Sequence, residues 1–320
     1  MKRVWIPTVG LLLGLWLGAC SSGLNVSGNL SRSPTSVPSI TPTASSPSPI
    51  PSLSPAPLPL PTLSLKPSLS ASSPLPTRTP TPTPWTCWKE AGAIEQKQIE
   101  TDLLPMPLSF RVYTPPCYDR EQQHLYPVLY LIHGRTYTDD QWDRLGADEA
   151  ADALIAGGQI PPFIIVMPRD RSWIKPPRNR FGEALTDELV PWIDAHYRTI
   201  PNRTSRAIGG LSWGGNWAVR LGLSQWSLFA SIGVHSAPTF DIDGPPRISA
   251  WLEEIPRQEL PRFFMDSGKN DYHLNEIMLL ESTLTDAGVP HEWHLYPGYH
   301  EESYWSAHVE EYIRWYAQEW

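Results

Sequence analysis

The chain has 320 residues, 36 prolines and a formal net charge of −8 at pH 7. This mild acidity leaves no basic stripe, which argues against nucleic acid as a partner. The length alone would allow two domains. Most of the prolines, however, lie in one N-terminal stretch, so a single folded domain after that stretch is predicted.

The first twenty residues are organised like an export signal. Two basic residues precede an apolar run at 4–17, and a run of about 14 residues is short for a membrane-spanning helix. The sequence LGAC at 17–20 follows and resembles the lipobox of bacterial lipoproteins. The resemblance implies a signal peptide at 1–20, a lipid on Cys20 and an extracytoplasmic protein anchored in the bacterial cell membrane. An ordinary secretory signal with a chance cysteine is the alternative.

Residues 21–84 consist almost entirely of Ser, Pro, Thr, Leu and Ala. Such a composition buries too little apolar surface to offset the entropy of ordering, so a disordered or polyproline-like linker is predicted. The linker would span roughly 45 Å as a flexible coil and about 200 Å as a full polyproline helix. We expect it to act as a tether, and a binding role is the alternative.

The composition changes at Trp85, and residues 85–320 are long enough for one domain with a sizeable core. Short apolar runs alternate with helical patterns, which predicts an α/β fold with a mostly parallel central sheet flanked by helices. Strands are predicted at 108–113, 127–132, 163–167, 206–211, 228–234, 262–265 and 291–296. Helices are predicted at 185–197, 215–223 and 303–319.

Two further cysteines, Cys87 and Cys117, flank the start of this domain. Export implies an oxidising compartment, in which a cysteine pair persists as a disulfide. We therefore expect Cys87 and Cys117 to be bridged, and two free buried thiols are the alternative.

The sequence GLSWGG at 210–215 matches the G-x-S-x-G nucleophile elbow. The elbow needs a strand before the serine and a helix after it, and both are predicted here. The serine sits on a tight turn, and the glycines let the strand and the helix pass close together. Ser212 is therefore the predicted nucleophile, with a passive serine in a glycine-rich turn as the alternative.

A serine nucleophile in this setting is followed in the chain by an acid and then by a histidine. His300 lies in a loop directly after the last predicted strand, where such sheets place functional groups, and is the predicted base. Asp271, in the loop after strand 262–265, is the predicted acid because a loop residue can reach the His300 ring. Asp266, at the predicted end of that strand, is the alternative acid and is expected to cap or brace the turn.

The oxyanion formed on an acyl group needs two fixed N–H donors. The backbone N–H of Trp213, at the start of the predicted helix, is one candidate. The other is expected in the loop HGRT at 133–136, and the N–H of Arg135 is favoured.

Several stretches of the domain resemble the putative-esterase family of α/β-hydrolases, which includes feruloyl esterases, enterochelin-type esterases, esterase D and the mycobacterial mycolyltransferases. The stretches are FRVYTPPCYD (110–119), YPVLYLIHG (126–134), FIIVMP (163–168), DELVPWIDAHYRT (187–199), RAIGGLSWGG (206–215), FFMDSGKND (263–271) and PGYHEESYW (297–305). The resemblance implies a sheet of about eight strands flanked by helices. It also assigns the catalytic roles to Ser212, Asp271 and His300, as the residues themselves do.

The chain departs from the family pattern at three positions. Trp213 stands where the family often has methionine, Arg135 where many members have glycine, and Cys117 where glycine is common. The first two lie in the predicted oxyanion region, so they bear on substrate choice more than on the type of reaction.

Seven aromatic residues near these motifs are candidates for lining an apolar or sugar-stacking acyl pocket. They are Tyr137, Trp142, Trp173, Trp213, Trp217, Tyr299 and Trp305. The sequence HEWH at 291–294 lacks the spacing of a zinc motif, and residues three apart on a strand point to opposite faces. No metal and no cofactor are expected.

The sequence therefore predicts a lipid-anchored serine esterase that hydrolyses small-molecule or carbohydrate esters through an acyl-enzyme. Two alternatives remain open. An acyltransferase of the same fold would pass the acyl group to an alcohol, and a tethered binding lipoprotein would have no activity.

Overall fold

The computed structural model describes residues 86–320. The predicted signal peptide at 1–20, the predicted lipid site Cys20 and the predicted linker at 21–84 lie outside the described residues. Within residues 86–320, no helix has both the length and the apolar character needed to cross a membrane.

Eight strands form one sheet in the order β1-β2-β4-β3-β5-β6-β7-β8. They are β1 (Ala93–Ile99), β2 (Leu108–Thr114), β3 (Val128–Ile132), β4 (Ile164–Pro168), β5 (Arg206–Leu211), β6 (Ser231–His235), β7 (Arg262–Gly268) and β8 (His291–Tyr296). The pairs from β4 to β8 are parallel, whereas β2 is antiparallel to both β1 and β4. The predicted α/β fold with a mostly parallel sheet is confirmed.

Helices cover both faces of the sheet. They are α1 (Gln141–Arg144), α2 (Ala147–Ala156), α3 (Phe181–Glu183), α4 (Val190–His196), α5 (Trp213–Ser224), α6 (Pro245–Glu254), α7 (Leu274–Asp286) and α8 (Glu302–Ala317). Apolar side chains of α3 to α7 share one buried cluster with one face of the sheet, and those of α1, α2 and α8 share a second cluster with the other face. The protein thus has three layers, with a core on each side of the sheet.

The central strand β3 shows why these residues form a sheet buried on both faces. All five of its residues are buried, which is the continuous apolar pattern of a parallel strand covered on both sides. Because side chains alternate along a strand, Val128 and Tyr130 join the first cluster while Leu129 and Leu131 join the second.

Two strand predictions differ from the structure by more than one residue at an end, and three others differ by a single residue. The apolar run predicted as a strand at 228–234 begins as a turn, in which the Leu228 N–H donates to the carbonyl of Gln225, and the strand starts at Ser231. Strand β7 continues to Gly268, past the predicted end at Met265, because it stays paired with β8 through that residue. Asp266 therefore lies inside a strand, and its predicted place at a strand end was wrong.

The helix predicted at 185–197 is observed with an irregular start. The chain turns as α3, widens into a π-helical segment over Ala184–Leu189 and continues as α4. Pro191 follows at the beginning of α4. Its missing N–H cannot complete an α-helical ladder with the preceding turn, which accounts for the widened segment before it.

A disulfide between Cys87 and Cys117 joins the segment before β1 to the loop after β2, with the two Cα atoms 5.2 Å apart. Both residues are buried. The bridge closes a separation of 30 residues and ties the start of the domain to its body.

Candidate active site

Ser212 occupies a tight turn between β5 and α5. Its φ of 51° and ψ of −121° are unfavourable for a residue with a Cβ atom and are the kind of strain found at functional turns. The Ser212 N–H donates to the carbonyl of His235 at 2.9 Å, which fixes the turn against the end of β6. The fold therefore holds this serine at the carboxyl edge of the sheet, as a nucleophile elbow requires.

The glycines on either side of Ser212 are required by close backbone approach. A Cβ atom at Gly214 would lie 2.0 Å from the carbonyl oxygen of Ile132, and one at Gly210 would lie 2.3 Å from the carbonyl carbon of Gly214. Both distances are far below van der Waals contact. Only glycine at these two positions lets α5 start directly beside β3 and β5.

Three side chains that are distant in sequence meet at this edge. Nε2 of His300, in the loop after β8, lies 2.9 Å from Oγ of Ser212. Nδ1 of His300 lies 2.9 Å from Oδ2 of Asp271, in the loop after β7. Because a carboxylate only accepts hydrogen bonds, Nδ1 carries the hydrogen and Nε2 is free to accept from the serine hydroxyl.

The Asp271 carboxylate is held in its ionised form. Its side chain is fully buried, and its Oδ1 accepts the backbone N–H of His273 at 2.8 Å. Burial alone would raise the pKa of the Asp271 carboxyl, but hydrogen bonds from the His300 ring and the His273 N–H bring that pKa below its usual value.

Asp266, the alternative acid, belongs to a second aspartate–histidine pair. Its Oδ1 lies 2.8 Å from Nδ1 of His235, and its Oδ2 accepts the hydroxyls of Tyr304 at 2.6 Å and Tyr312 at 2.7 Å. Asp266 and His235 are both fully buried. The expectation that Asp266 caps or braces a turn was wrong, because its strand directs it into the core beneath α8 instead of towards His300.

The two histidines of β8 contact the surrounding fold. Nδ1 of His291 lies 2.8 Å from the carbonyl of Val289, and the His294 ring stacks on Phe264 with centroids 5.0 Å apart. Among residues 86–320, no group of three or more His, Cys, Asp or Glu side chains is arranged to hold a metal ion.

The two predicted oxyanion donors flank the serine turn. The loop after β3 lies against Ser212, since a Cβ atom at Gly134 would be 3.5 Å from that of the serine. The Gly134 N–H is already used, because it donates to Oε1 of Gln141 at 2.8 Å. By contrast, neither the Arg135 nor the Trp213 backbone N–H donates to another group in the described part of the chain. These two N–H groups thus remain available to a ligand.

A pocket of about 590 Å³ opens beside Ser212 and His300. Its other lining residues come from the loop after β3, the end of β5, the loop after β7 and the region where α8 begins. They are Gly134, Arg135, Thr136, Tyr137, Leu211, Tyr272, Glu301, Glu302, Ser303 and Trp305. At the rim, Glu302 accepts hydrogen bonds from Arg144 at 3.0 and 3.2 Å, which links α8 to α1.

The aromatic candidates divide between this pocket and the core. Tyr137 and Trp305 line the pocket, whereas Trp142 and Trp217 are fully buried elsewhere. Trp173 and Tyr299 are exposed outside the lining, and Trp213 packs beneath the elbow against Phe240.

Sequence reasoning missed Tyr272 as a pocket residue. This exposed side chain lies against the His300 ring, with the two ring centroids 4.5 Å apart. Its position directly after Asp271 was the signal that could have identified it.

Comparison with known proteins places the chain in a family. A family model described as "Putative esterase" matches residues 101–316, which is more than half of the chain. The chain belongs to this family. The predicted family is thereby confirmed.

Relatives of this esterase-family chain carry matching names. It is 36% identical over 140 residues to "Endo-1,4-beta-xylanase/feruloyl esterase" of Xylanibacter ruminicola, covering 40% of this chain and 19% of that protein. It is 30% identical over 234 residues to "Esterase Rv1288" of Mycobacterium tuberculosis, covering 57% of this chain and 50% of that protein. The chain thus spans half or less of the length of these curated relatives.

The fold is shared with solved structures. A "ferulic acid esterase" superposes with a TM-score of 0.64 at 23% identity, over 72% of this chain and 99% of that one. This likeness shows the fold, and the assignment of residues to roles depends on the geometry described above.

Proposed function

We propose that the protein is an extracytoplasmic, lipid-anchored serine esterase that hydrolyses carboxylic esters through an acyl-enzyme. The single observation that carries the proposal is the hydrogen-bonded series from Ser212 through His300 to Asp271, with both distances at 2.9 Å. Such a series is the arrangement by which a base activates a serine hydroxyl.

In the first half of the reaction, Asp271 holds the His300 ring in the tautomer with the hydrogen on Nδ1. Nε2 of His300 takes the proton as Oγ of Ser212 attacks the ester carbonyl carbon. When the tetrahedral intermediate collapses, the ester C–O bond breaks and His300 returns the proton to the departing alcohol. The acyl group remains on the serine.

In the second half, His300 takes a proton from water, and the hydroxide formed attacks the acyl carbon. Collapse of this intermediate releases the free acid and returns the proton to Ser212. In both intermediates the negative oxygen is stabilised by the N–H groups of Trp213 and Arg135. Losing one such donor typically lowers the rate by about 10²–10³-fold.

Esters with an aromatic acyl group are the proposed substrate class. Tyr137, Tyr272 and Trp305 line the pocket beside the catalytic side chains, and aromatic side chains stack on planar acyl groups. The pocket volume of about 590 Å³ lies in the range that accommodates small-molecule ligands. Names of relatives that refer to feruloyl and ferulic acid esterases point the same way.

The proposed location depends on the sequence before the folded domain. The lipobox-like LGAC at 17–20 supports attachment of lipid to Cys20, and two or more acyl chains anchor a protein stably. Residues 21–84 would then hold the catalytic domain away from the membrane. Replacing Cys20 with Ala in the full-length chain is expected to move the protein from the detergent phase to the aqueous phase of a detergent partition. Wild type found in the aqueous phase would contradict the anchor.

The activity is tested with a panel of esters that includes 4-nitrophenyl acetate and feruloylated sugars. Wild type is expected to release free acid, whereas Ser212→Ala is expected to retain activity only near background and to lose labelling by a fluorophosphonate probe. Comparing free acid with acyl transfer to an added sugar separates hydrolysis from transfer. No ester cleavage by wild type, or equal cleavage by Ser212→Ala, would refute the proposal.

A further inference from the structure

A buried carboxylate outside the catalytic series holds the residue that follows the nucleophile. Asp170, in the loop after β4, is 2% exposed. Its Oδ2 accepts the indole N–H of Trp213 at 2.9 Å and the indole N–H of Trp217 at 3.0 Å. Nδ2 of Asn179 also donates to this carboxylate and lies 3.1 Å from each of its two oxygens. Its position is therefore fixed from several sides.

Asp170 is also linked to the other side of the oxyanion region. Its backbone N–H donates to Nε2 of His133 at 3.0 Å, and His133 is itself buried. His133 stands two residues before Arg135 in the chain, at the start of the loop that presents the second candidate donor. One residue thus contacts both segments that carry the N–H groups available to a ligand.

The chemistry of this carboxylate argues for a positional role. Within residues 86–320, the hydrogen-bond partners of the Asp170 side chain are all neutral donors, from Ser172, Asn179 and the two indoles. An anion buried without a cation is costly to keep, even when it is well hydrogen-bonded. An apolar residue would fill the same space without that cost but would accept no hydrogen bond. The carboxylate therefore supplies the hydrogen bonds to Asn179, to Ser172 and to the two indoles.

Trp213 links the Asp170 carboxylate to the oxyanion position, because Asp170 holds its side chain and its backbone carries the N–H. Its backbone N–H is the proposed oxyanion donor, and its side chain is held by Asp170 on one side and by the Phe240 ring, 5.0 Å away between centroids, on the other. Fixing the side chain fixes the peptide between Ser212 and Trp213. A donor that is held in place needs no reorganisation when the negative charge develops.

We infer that Asp170 is a positioning residue, which acts through the Trp213 indole to hold the Trp213 backbone N–H where the oxyanion forms. The inference rests on the proposed esterase function and concerns the same site. Because the oxyanion exists only in the transition state and the intermediates, a displaced donor lowers kcat and leaves KM nearly unchanged.

Asp170→Asn in the full-length chain is the first test, with 4-nitrophenyl acetate as substrate and active sites counted by fluorophosphonate titration. The expected kcat per active site is about 10- to 100-fold below wild type, with KM within about threefold. The affinity for a boronic acid, whose tetrahedral adduct presents an oxygen to the same donors, is expected to fall by a similar factor. A merely structural role would lower the number of active sites and leave kcat per site unchanged.

The two tryptophans supply a matched pair of variants, which also decides the case if Asp170→Asn does not fold. Trp213→Phe and Trp217→Phe each remove one indole N–H from the same Oδ2 atom. Only Trp213 carries the proposed oxyanion N–H. Trp213→Phe is expected to lower kcat about tenfold, whereas Trp217→Phe is expected to keep kcat within about twofold of wild type. In the double variant, adding Asp170→Asn to Trp213→Phe is expected to lower kcat little further.

Equal losses of kcat in Trp213→Phe and Trp217→Phe would overturn the inference. So would an Asp170→Asn variant with normal kcat per site while Ser212→Ala is inactive, a result that leaves the proposed function standing. Equal hydrolysis by wild type and Ser212→Ala would overturn the proposed function, and this inference with it.

Discussion

Asp266 and Asp271 stand five residues apart, and each pairs with a histidine, but only Asp271 reaches the histidine that contacts Ser212. Asp266 is on a strand, where the alternation of side chains directs it into the layer beneath α8. Asp271 is in the following loop, which is free to turn towards the edge of the sheet. The two aspartates therefore have different partners because one lies on a strand and the other in a loop.

Replacing each aspartate with asparagine is expected to separate these roles. Asp271→Asn should lower kcat by about 10³–10⁴-fold, because the amide no longer favours the tautomer of His300 that accepts the serine proton. Asp266→Asn should keep kcat within about threefold and lower the free energy of unfolding by about 1–3 kcal/mol, because buried partners lose hydrogen bonds. Steady-state kinetics and denaturant unfolding measure both. The reverse pattern would assign the acid to Asp266.

The lowered pKa of Asp271 also predicts how stability depends on pH. Its pKa is depressed in the folded state relative to about 3.9 in an unfolded chain. The ionised group therefore stabilises the fold above about pH 4, and this contribution is lost as pH falls through the folded-state pKa. The difference in Tm between wild type and Asp271→Asn should shrink as the pH falls below about 4. A difference that grows towards acid would contradict the assignment.

Arg135 is predicted to contribute through its backbone and not through its guanidinium. The side chain is exposed and lies 5.9 Å above the Trp213 ring. Arg135→Ala retains the backbone N–H, so kcat for a neutral ester such as 4-nitrophenyl acetate should stay within about threefold of wild type. Removing an oxyanion donor, by contrast, typically lowers the rate by about 10²–10³-fold. A loss of that size in Arg135→Ala would place the guanidinium itself in the reaction.

At the scale of elements, the site depends on how closely α5 approaches β3. The start of the helix is held beside the strand by two glycines for which any Cβ atom would overlap backbone. This approach places Ser212, Trp213 and the loop after β3 within reach of one another. The catalytic geometry is thus a consequence of backbone packing as much as of side-chain chemistry.

Gly214→Ala is expected to destabilise the protein by at least about 2 kcal/mol, because the new Cβ atom overlaps the Ile132 carbonyl and forces α5 away from β3. Gly244→Ala is the matched control, since that position has open space around it and a φ of −64°. It should change the free energy of unfolding by less than about 1 kcal/mol. Equal destabilisation in denaturant unfolding would show that the close approach is not what requires glycine.

At the scale of the whole molecule, the disulfide joins the first described turn of the domain to the loop after β2. Between the two cysteines runs β1, an edge strand whose residues are half-buried or exposed. It is held to the rest of the sheet by β2 alone. The bridge therefore ties down an edge strand that is not fully buried.

Replacing both Cys87 and Cys117 with Ala is expected to lower the free energy of unfolding by about 3–4 kcal/mol, as loop-closure entropy predicts for this separation. kcat should be unchanged, since neither residue lines the pocket. Denaturant unfolding of the oxidised wild type and the double variant measures the difference. An unchanged midpoint would contradict the role given to the bridge.

Elements with a strong pattern were predictable from the sequence. The buried runs of the central strands and the glycines around Ser212 are local features, and the structure has β5 and β8 with the predicted bounds. Sequence reasoning did not predict β1 or helices α1, α2, α3, α6 and α7. These elements are short, lie at the edge or on the surface, or mix polar with apolar residues. Their boundaries depend on the neighbours against which they pack.

The sequence by itself determined the fold class, the nucleophile elbow and the order of the candidate catalytic residues, because each follows from local composition, periodicity or spacing. Only the tertiary structure decided which aspartate faces His300, which aromatic side chains line the pocket and that Asp170 holds Trp213. Those relationships join residues 29 and 43 positions apart. They are set by how the strands and helices pack, and no local pattern in the chain encodes them.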